Sequence, residues 1–152
     1  SQASALGRVG MPIYYPKLIE TGTQYCSELT ANCNDYPNPA IEYAASYPRR
    51  YVIRDQTGHA YKAYRMTLVK NSMIGQYYGV QGMTWQHPPI LDHPTQTQTV
   101  NGKSLMEYFN GRKLSLVAWR TPSGVYWVSN TLTDDIPNQQ LIGIAASLTR
   151  AG

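Results

Sequence analysis

The sequence predicts an α+β fold, a single domain in which an antiparallel meander sheet carries a C-terminal helix packed on it. Three observations carry this expectation. The chain has 152 residues, enough to bury one sizeable core and too few for two full ones. Several segments alternate apolar and polar residues with a period of two, and tight-turn dipeptides separate them. The period changes to that of a helix only near the C-terminal end.

Residues 1–8 (SQASALGR) are small and polar without a period and read as a boundary, which leaves residues 9–152 as the domain. Met11 to Tyr15 is a short apolar stretch between Pro12 and Pro16, suited to an edge strand or an extended lead-in. Residues 21–48 carry Gly22, prolines, asparagines and both cysteines, so they read as a loop-rich insert. Tyr51 to Arg54, the turn Asp55 to Gly58 and the arm Ala60 to Val69 form a hairpin. In its second arm Tyr64, Met66 and Leu68 share one face, while Ala63, Arg65, Thr67 and Val69 share the other. Thr95 to Thr99 is a polar alternation suited to an exposed strand edge.

Ser104 to Phe109, Asn110-Gly111 and Lys113 to Arg120 form the sharpest hairpin pattern, because Asn-Gly tolerates the positive φ of a type I′ turn. There Leu114, Leu116 and Ala118 alternate with Lys113, Ser115, Val117 and Trp119. Thr121 to Gly124 is a second tight turn, and Val125 to Leu132 returns as the third strand of the meander. Asp134-Asp135-Ile136-Pro137 then offers a helix start, with acidic residues at the positive end of the dipole. Leu141, Ile144, Ala145 and Leu148 follow as one apolar stripe for the sheet.

Composition narrows the function classes. Hydrophobic residues at 42% and charged residues at 14% exclude a disordered chain and a coiled coil. No apolar run reaches the roughly 18 residues that span a bilayer, so membrane attachment would come from a segment outside this chain. Thirteen Lys and Arg against nine Asp and Glu favour anionic partners in general. The basic residues are scattered singly, however, without the tail or stripe of a nucleic-acid binder. Thirteen Tyr and three Trp against one Phe point to aromatics whose polar tips need partners. Such rings suit either a β-rich secreted domain or a face for polar, extended ligands.

Cys26 and Cys33 are too few for a four-ligand zinc site, and His59 is remote in sequence. A disulfide between them is the expected state and places the protein in an oxidising, extracytoplasmic compartment; two buried thiols, the alternative, would leave it in the cytosol.

Residues 74–95 concentrate the candidate chemistry. Tyr77, Tyr78, Gln81, Trp85 and His87 alternate there with glycines and prolines. A rigid loop presenting rings for sugar C–H surfaces and amides for hydroxyls fits a glycan. The plainer reading is a proline-rich connection whose Trp85 and Ile90 plug the core. Arg65 and Arg120 are the expected anion partners. His87, Asp92 and His93 match no metal signature, and the prolines at 88, 89 and 94 interrupt any helix that would align them. No hydrolase, phosphate-loop or dinucleotide motif occurs, so neither a catalytic set nor a cofactor is assigned.

The run from Tyr77 to Leu91 (YYGVQGMTWQHPPIL), followed by Val100 to Leu148 (VNGKSLMEYFNGRKLSLVAWRTPSGVYWVSNTLTDDIPNQQLIGIAASL), resembles a C-terminal extension on some actinobacterial LytR-CpsA-Psr cell-envelope proteins. The similarity covers most of residues 9–149. Those proteins are membrane-anchored, face outward, and transfer lipid-linked glycopolymers onto peptidoglycan. Their Arg- and Asp-rich pyrophosphate motifs are not in this sequence, so the transferase activity is not carried over. The resemblance implies a non-catalytic extracytoplasmic accessory domain that binds cell-wall glycopolymer or supports a linked transferase. Two other classes stay open. One is a protein-interaction or dimerisation module using a sheet edge; the other is a small hydrolase using His87 or His93.

Overall fold

A computed structural model describes residues 10–19, 24–25, 49–71 and 76–151. The boundary segment 1–8, both cysteines and nearly all of the 21–48 insert lie outside those residues, and with them the inferred Cys26–Cys33 disulfide. Among the described residues, ten strands and one α-helix follow in order: β1 Tyr14–Pro16, β2 Gln24–Tyr25, β3 Arg49–Arg54, β4 Ala60–Asn71, β5 Gln76–Met83, β6 Gln96–Val100, β7 Lys103–Asn110, β8 Lys113–Thr121, β9 Gly124–Ser129, α1 Asn138–Ala146 and β10 Leu148–Arg150. The expected α+β class holds. All pairings are antiparallel, and the main sheet runs β4-β5-β9-β8-β7-β6, with β2 and β3 dividing the outer edge of β4 between them.

Period-two alternation sorts the sheet into two apolar faces. On one, Tyr64, Met66 and Leu68 of β4 meet Tyr78 and Val80 of β5, Tyr126 and Val128 of β9, and Leu141, Ile144 and Ala145 of α1, all buried in one cluster. Each Leu, Ile, Val or Met side chain among them contributes about 1.5–3 kcal/mol on leaving water. The chain before β1 lies across this face. The Tyr126 hydroxyl donates to Pro12 O at 2.8 Å and the Tyr64 hydroxyl to Tyr14 O at 2.8 Å, while Tyr14 N–H returns a bond to the Tyr64 oxygen at 2.9 Å. Burial pushes both hydroxyls up, Tyr126 to about 12 and Tyr64 further. β1 also pairs with β10, Tyr14 opposite Arg150.

The opposite face holds a smaller cluster of Ala63, Met83, Leu91, Met106, Ala118, Val125 and Trp127, with Tyr51, Ile53, Trp85, Tyr108 and Leu116 packed against it. β5 lies beside β9, so residues 84–95 must carry the chain from mid-sheet to the far edge where β6 starts.

Three local expectations are corrected. The type I′ turn forms at Asn101-Gly102, with φ of 50° and 79°, and not at Asn110-Gly111. Asn110 stays in β7 opposite Lys113, so the loop is Gly111-Arg112 with positive φ at Gly111 alone, the type II′ pattern. Leu114 and Leu116 do not share a face, because the β7–β8 register shifts between Tyr108 and Phe109. The extra residue on β8 sends Leu114 into the helix-side core and Leu116 to the other cluster.

The helix also starts and ends later and earlier, respectively, than its pattern implies. Asp134 and Asp135 precede it, and its first turn holds no acidic residue. The Asp135 carboxylate instead accepts from the Thr133 and Thr131 hydroxyls at 2.6 and 2.9 Å and from Gln76 Nε2 at 2.9 Å, which holds it below its ordinary range. Ser147 closes the last turn with its hydroxyl on Ile144 O at 2.7 Å, so Leu148, read as helical, is buried from β10. Buried Asn130 ties β9 to the helix approach. Its Nδ2 donates to Leu114 O and Ile136 O, and its Oδ1 accepts from Thr131 N and Ile136 N, at 2.8–3.0 Å.

Candidate functional site

β5 is the centre of the segment read as a loop, and its alternation divides the predicted contact residues. Tyr78 points into the helix-side core and is 2% exposed, so it is removed from the contact set. Two glycines that read as loop chemistry are spacers in the strand. A Cβ on Gly82 would lie 2.5 Å from the Tyr64 ring and 2.6 Å from the Tyr126 ring, so those rings close over its empty position. A Cβ on Gly79 would lie 3.7 Å from Arg65 Nε and 3.7 Å from Ser129 Oγ, so the Arg65 side chain runs over the strand on the opposite face. Arg65, half-buried, is thus packed into the sheet and is not a freely projecting anion partner.

Gln81 lies on that opposite face, level with Arg65 on one side and Trp127 on the other. Its amide is used internally: Trp127 Nε1 donates to Gln81 Oε1 at 2.9 Å, and Gln81 Nε2 donates to the Tyr51 hydroxyl at 3.3 Å. Tyr77 is half-buried near the start of the same strand.

Beyond β5 the chain is latched to β4, with Thr84 N–H on Lys62 O at 2.9 Å and Lys62 N–H on Thr84 Oγ1 at 3.1 Å. That latch places half-buried Trp85 flat on Tyr61, ring centroids 5.2 Å apart and planes 9° apart. Exposed His59 meets the Tyr61 ring edge-on at 4.5 Å. The turn below is set by Asp55, whose Oδ1 accepts from Thr57 Oγ1 at 2.6 Å, Thr57 N at 2.9 Å and His59 N at 3.0 Å, while Tyr61 O–H reaches Oδ2 at 3.2 Å. The Thr57 hydroxyl, the leading cause, holds Asp55 below its usual carboxylate range. Burial first, then the hydrogen bond to the Asp55 carboxylate and its charge, raise the Tyr61 hydroxyl.

The connection that follows is fastened over the second cluster. Arg120 Nε donates to Gln86 O at 2.8 Å and its Nη1 lies 3.6 Å from Met106 Sδ, so Arg120 acts as a clamp on the loop. Gln86 Nε2 bonds Thr121 O at 2.9 Å and Pro122 O at 3.1 Å. A 3₁₀ turn at Pro89–Leu91 drives Leu91 inward, where Tyr108 O–H bonds its carbonyl at 2.5 Å. His87, Asp92 and His93 remain exposed, with His93 at φ 56°. Among the described residues no cluster of three His, Cys, Asp or Glu side chains is placed to hold a metal ion. None of the helices there is long and apolar enough to cross a membrane.

The structure therefore brings Trp85 to a ring stack with Tyr61 and His59, puts His87 exposed nearby in the chain, and turns Tyr78, Gln81, Arg65 and Arg120 to internal work. The reading from the residues missed Tyr51 and Tyr61. Continuing the period of β4 back from Arg65 and Ala63 reaches Tyr61, and that alternation was the available signal. No family model matches the chain, and no curated protein or solved structure matches it.

Proposed function

We propose that this domain is a non-catalytic accessory module of a cell-envelope protein, extracytoplasmic, which binds a cell-wall glycopolymer along the rim formed by His59, Tyr61, Trp85 and His87. The observation that carries the reading is the parallel, stacked Tyr61–Trp85 pair with exposed His59 at its end. Stacked rings fixed by a carboxylate-bound turn on one side and a strand latch on the other are pre-ordered, so a sugar ring docking there does not have to order them. The likeness of the Tyr77–Leu91 and Val100–Leu148 runs to envelope-protein extensions supports the same ligand class and a linked transferase as the neighbour.

The test is co-sedimentation with cell-wall sacculi that keep or lack their covalently attached glycopolymer. The domain is retained on the former. His59→Ala weakens retention about threefold and Trp85→Ala about tenfold, in line with about 0.5–1.5 kcal/mol per ring contact. His59→Ala leaves the melting temperature unchanged. Absence of wild-type retention, or retention indifferent to both substitutions, overturns the reading.

A further inference from the structure

We propose that β6 is a self-pairing edge, through which two copies of this domain join antiparallel about a two-fold axis at Gln98, making one sheet across both. This goes beyond glycan binding and uses no residue of the ring-lined rim. β6 closes the sheet order, and among the described residues no strand pairs with its outer side. Its inner side is fixed by register. Val100 and Lys103 flank the two-residue Asn101-Gly102 turn and so form a hydrogen-bonded pair. Alternation makes Gln98–Leu105 and Gln96–Glu107 the next such pairs, leaving the N–H and C=O of Thr97 and Thr99 aimed outward.

The edge is rigid. Glu107, fully buried on β7, accepts Gln96 Nε2 on Oε1 at 2.7 Å and Gln98 Nε2 on Oε2. Upstream, Thr95 N–H bonds Glu107 O at 2.8 Å and Phe109 N–H bonds Thr95 Oγ1 at 3.1 Å. The residues from Gln96 to Val100 include no Lys, Glu or Pro and show no register shift, so the usual deterrents to edge pairing are missing.

A second copy is the occupant this pattern fits. With the axis at Gln98, Thr97 lies opposite Thr99 of the other copy and Thr99 opposite its Thr97, so every outward N–H meets an outward C=O. One face then carries two Thr–Thr cross-strand pairs and the other a Gln98–Gln98 pair on the axis between two Gln96–Val100 pairs, all uncharged, and the isologous symmetry closes. An edge of five residues buries little area, so the dimer is weak.

Sedimentation equilibrium over a concentration series tests this. The wild-type domain shifts from one copy towards two as concentration rises to about millimolar, as a small interface requires. Thr97→Pro removes an outward N–H without touching the β6–β7 ladder; it raises the dissociation constant about tenfold with the circular dichroism preserved. A second pair of variants fixes the register. Thr97→Lys with Thr99→Lys, and Thr97→Glu with Thr99→Glu, are each monomeric alone and associate when mixed, because like charges face each other in the first case and opposite charges in the second. A wild-type domain that stays monomeric throughout, including one that pairs only with a foreign peptide, overturns the proposal. So does a mixture of the charged variants that fails to associate.

Discussion

The two faces of the sheet use the same residue types for opposite purposes. On the helix side, Tyr64 and Tyr126 are buried to the hydroxyl and end on the backbone carbonyls of Tyr14, the first residue of β1, and of Pro12 just before it. On the other side, Tyr51, Gln81 and Trp127 bond one another, while Tyr108 and Arg120 hold down a connection and Trp85 stacks half-open on Tyr61. Tyr77 and Tyr78 are chain neighbours, yet the second is core and the first is not. Strand parity, not the tyrosine content of a segment, decides which rings a ligand can reach.

Four experiments sharpen that contrast. The largest effect belongs to Asn130→Ala. It strips four hydrogen bonds from a buried junction and leaves Ile136 and Leu114 backbone groups unpaired, costing about 3–4 kcal/mol in urea unfolding. Gly82→Ala drives a methyl into the Tyr64 and Tyr126 rings and lowers stability by about 2–3 kcal/mol; a smaller loss would mean the helix-side packing yields more readily than a core does.

pH separates the helix-side hydroxyls next. Their pKa values are higher folded than the ordinary 10.0, so their contribution is whole below pH 10.0 and is lost as the pH rises towards about 12. Asp55 and Asp135 run the other way. Both are lowered below 3.8, so what they contribute is present above that value and declines as the pH falls further. A melting-temperature profile should show a plateau between these limits, and a Tyr126→Phe variant should lose less on the alkaline side than the wild type. Smallest is Tyr108→Phe on the open face, costing about 1 kcal/mol but speeding protease cleavage within residues 87–94, since the Leu91 carbonyl loses its donor.

Much of the meander was legible from alternation and turn residues, including the β3–β4 hairpin, the run β7-β8-β9 and the exposed edge at β6. What failed did so for physical reasons. Two Asn-Gly pairs occur, and register assigned the type I′ geometry to Asn101-Gly102, which the dipeptide alone cannot decide. Gly79 and Gly82 look like loop residues by composition, but each makes room for a side chain from a neighbouring strand, information that lives in β4 and β9. The bulge that splits Leu114 from Leu116 leaves no trace in the apolar pattern. At the candidate rim, Trp85 is legible from local chemistry, as is His87, which lies exposed two residues further along the chain. Tyr61 and His59 reach the same place only through the pairing of β4, and the bond from Arg120 to Gln86 O depends on a loop path that residue chemistry alone does not reveal.

The antiparallel match of β1 with β10 has a mechanical consequence. Tyr14 sits opposite Arg150 and Pro16 opposite Leu148, with Ala151 N–H on Ile13 O at 2.8 Å. The polypeptide thus arrives and departs at one end of that short ladder. Tension applied between residues 13 and 151 loads its bonds one after another, as a zipper opens, rather than all together in shear. The first yielding step would peel the strap from the Tyr64 and Tyr126 hydroxyls while the large sheet stays intact.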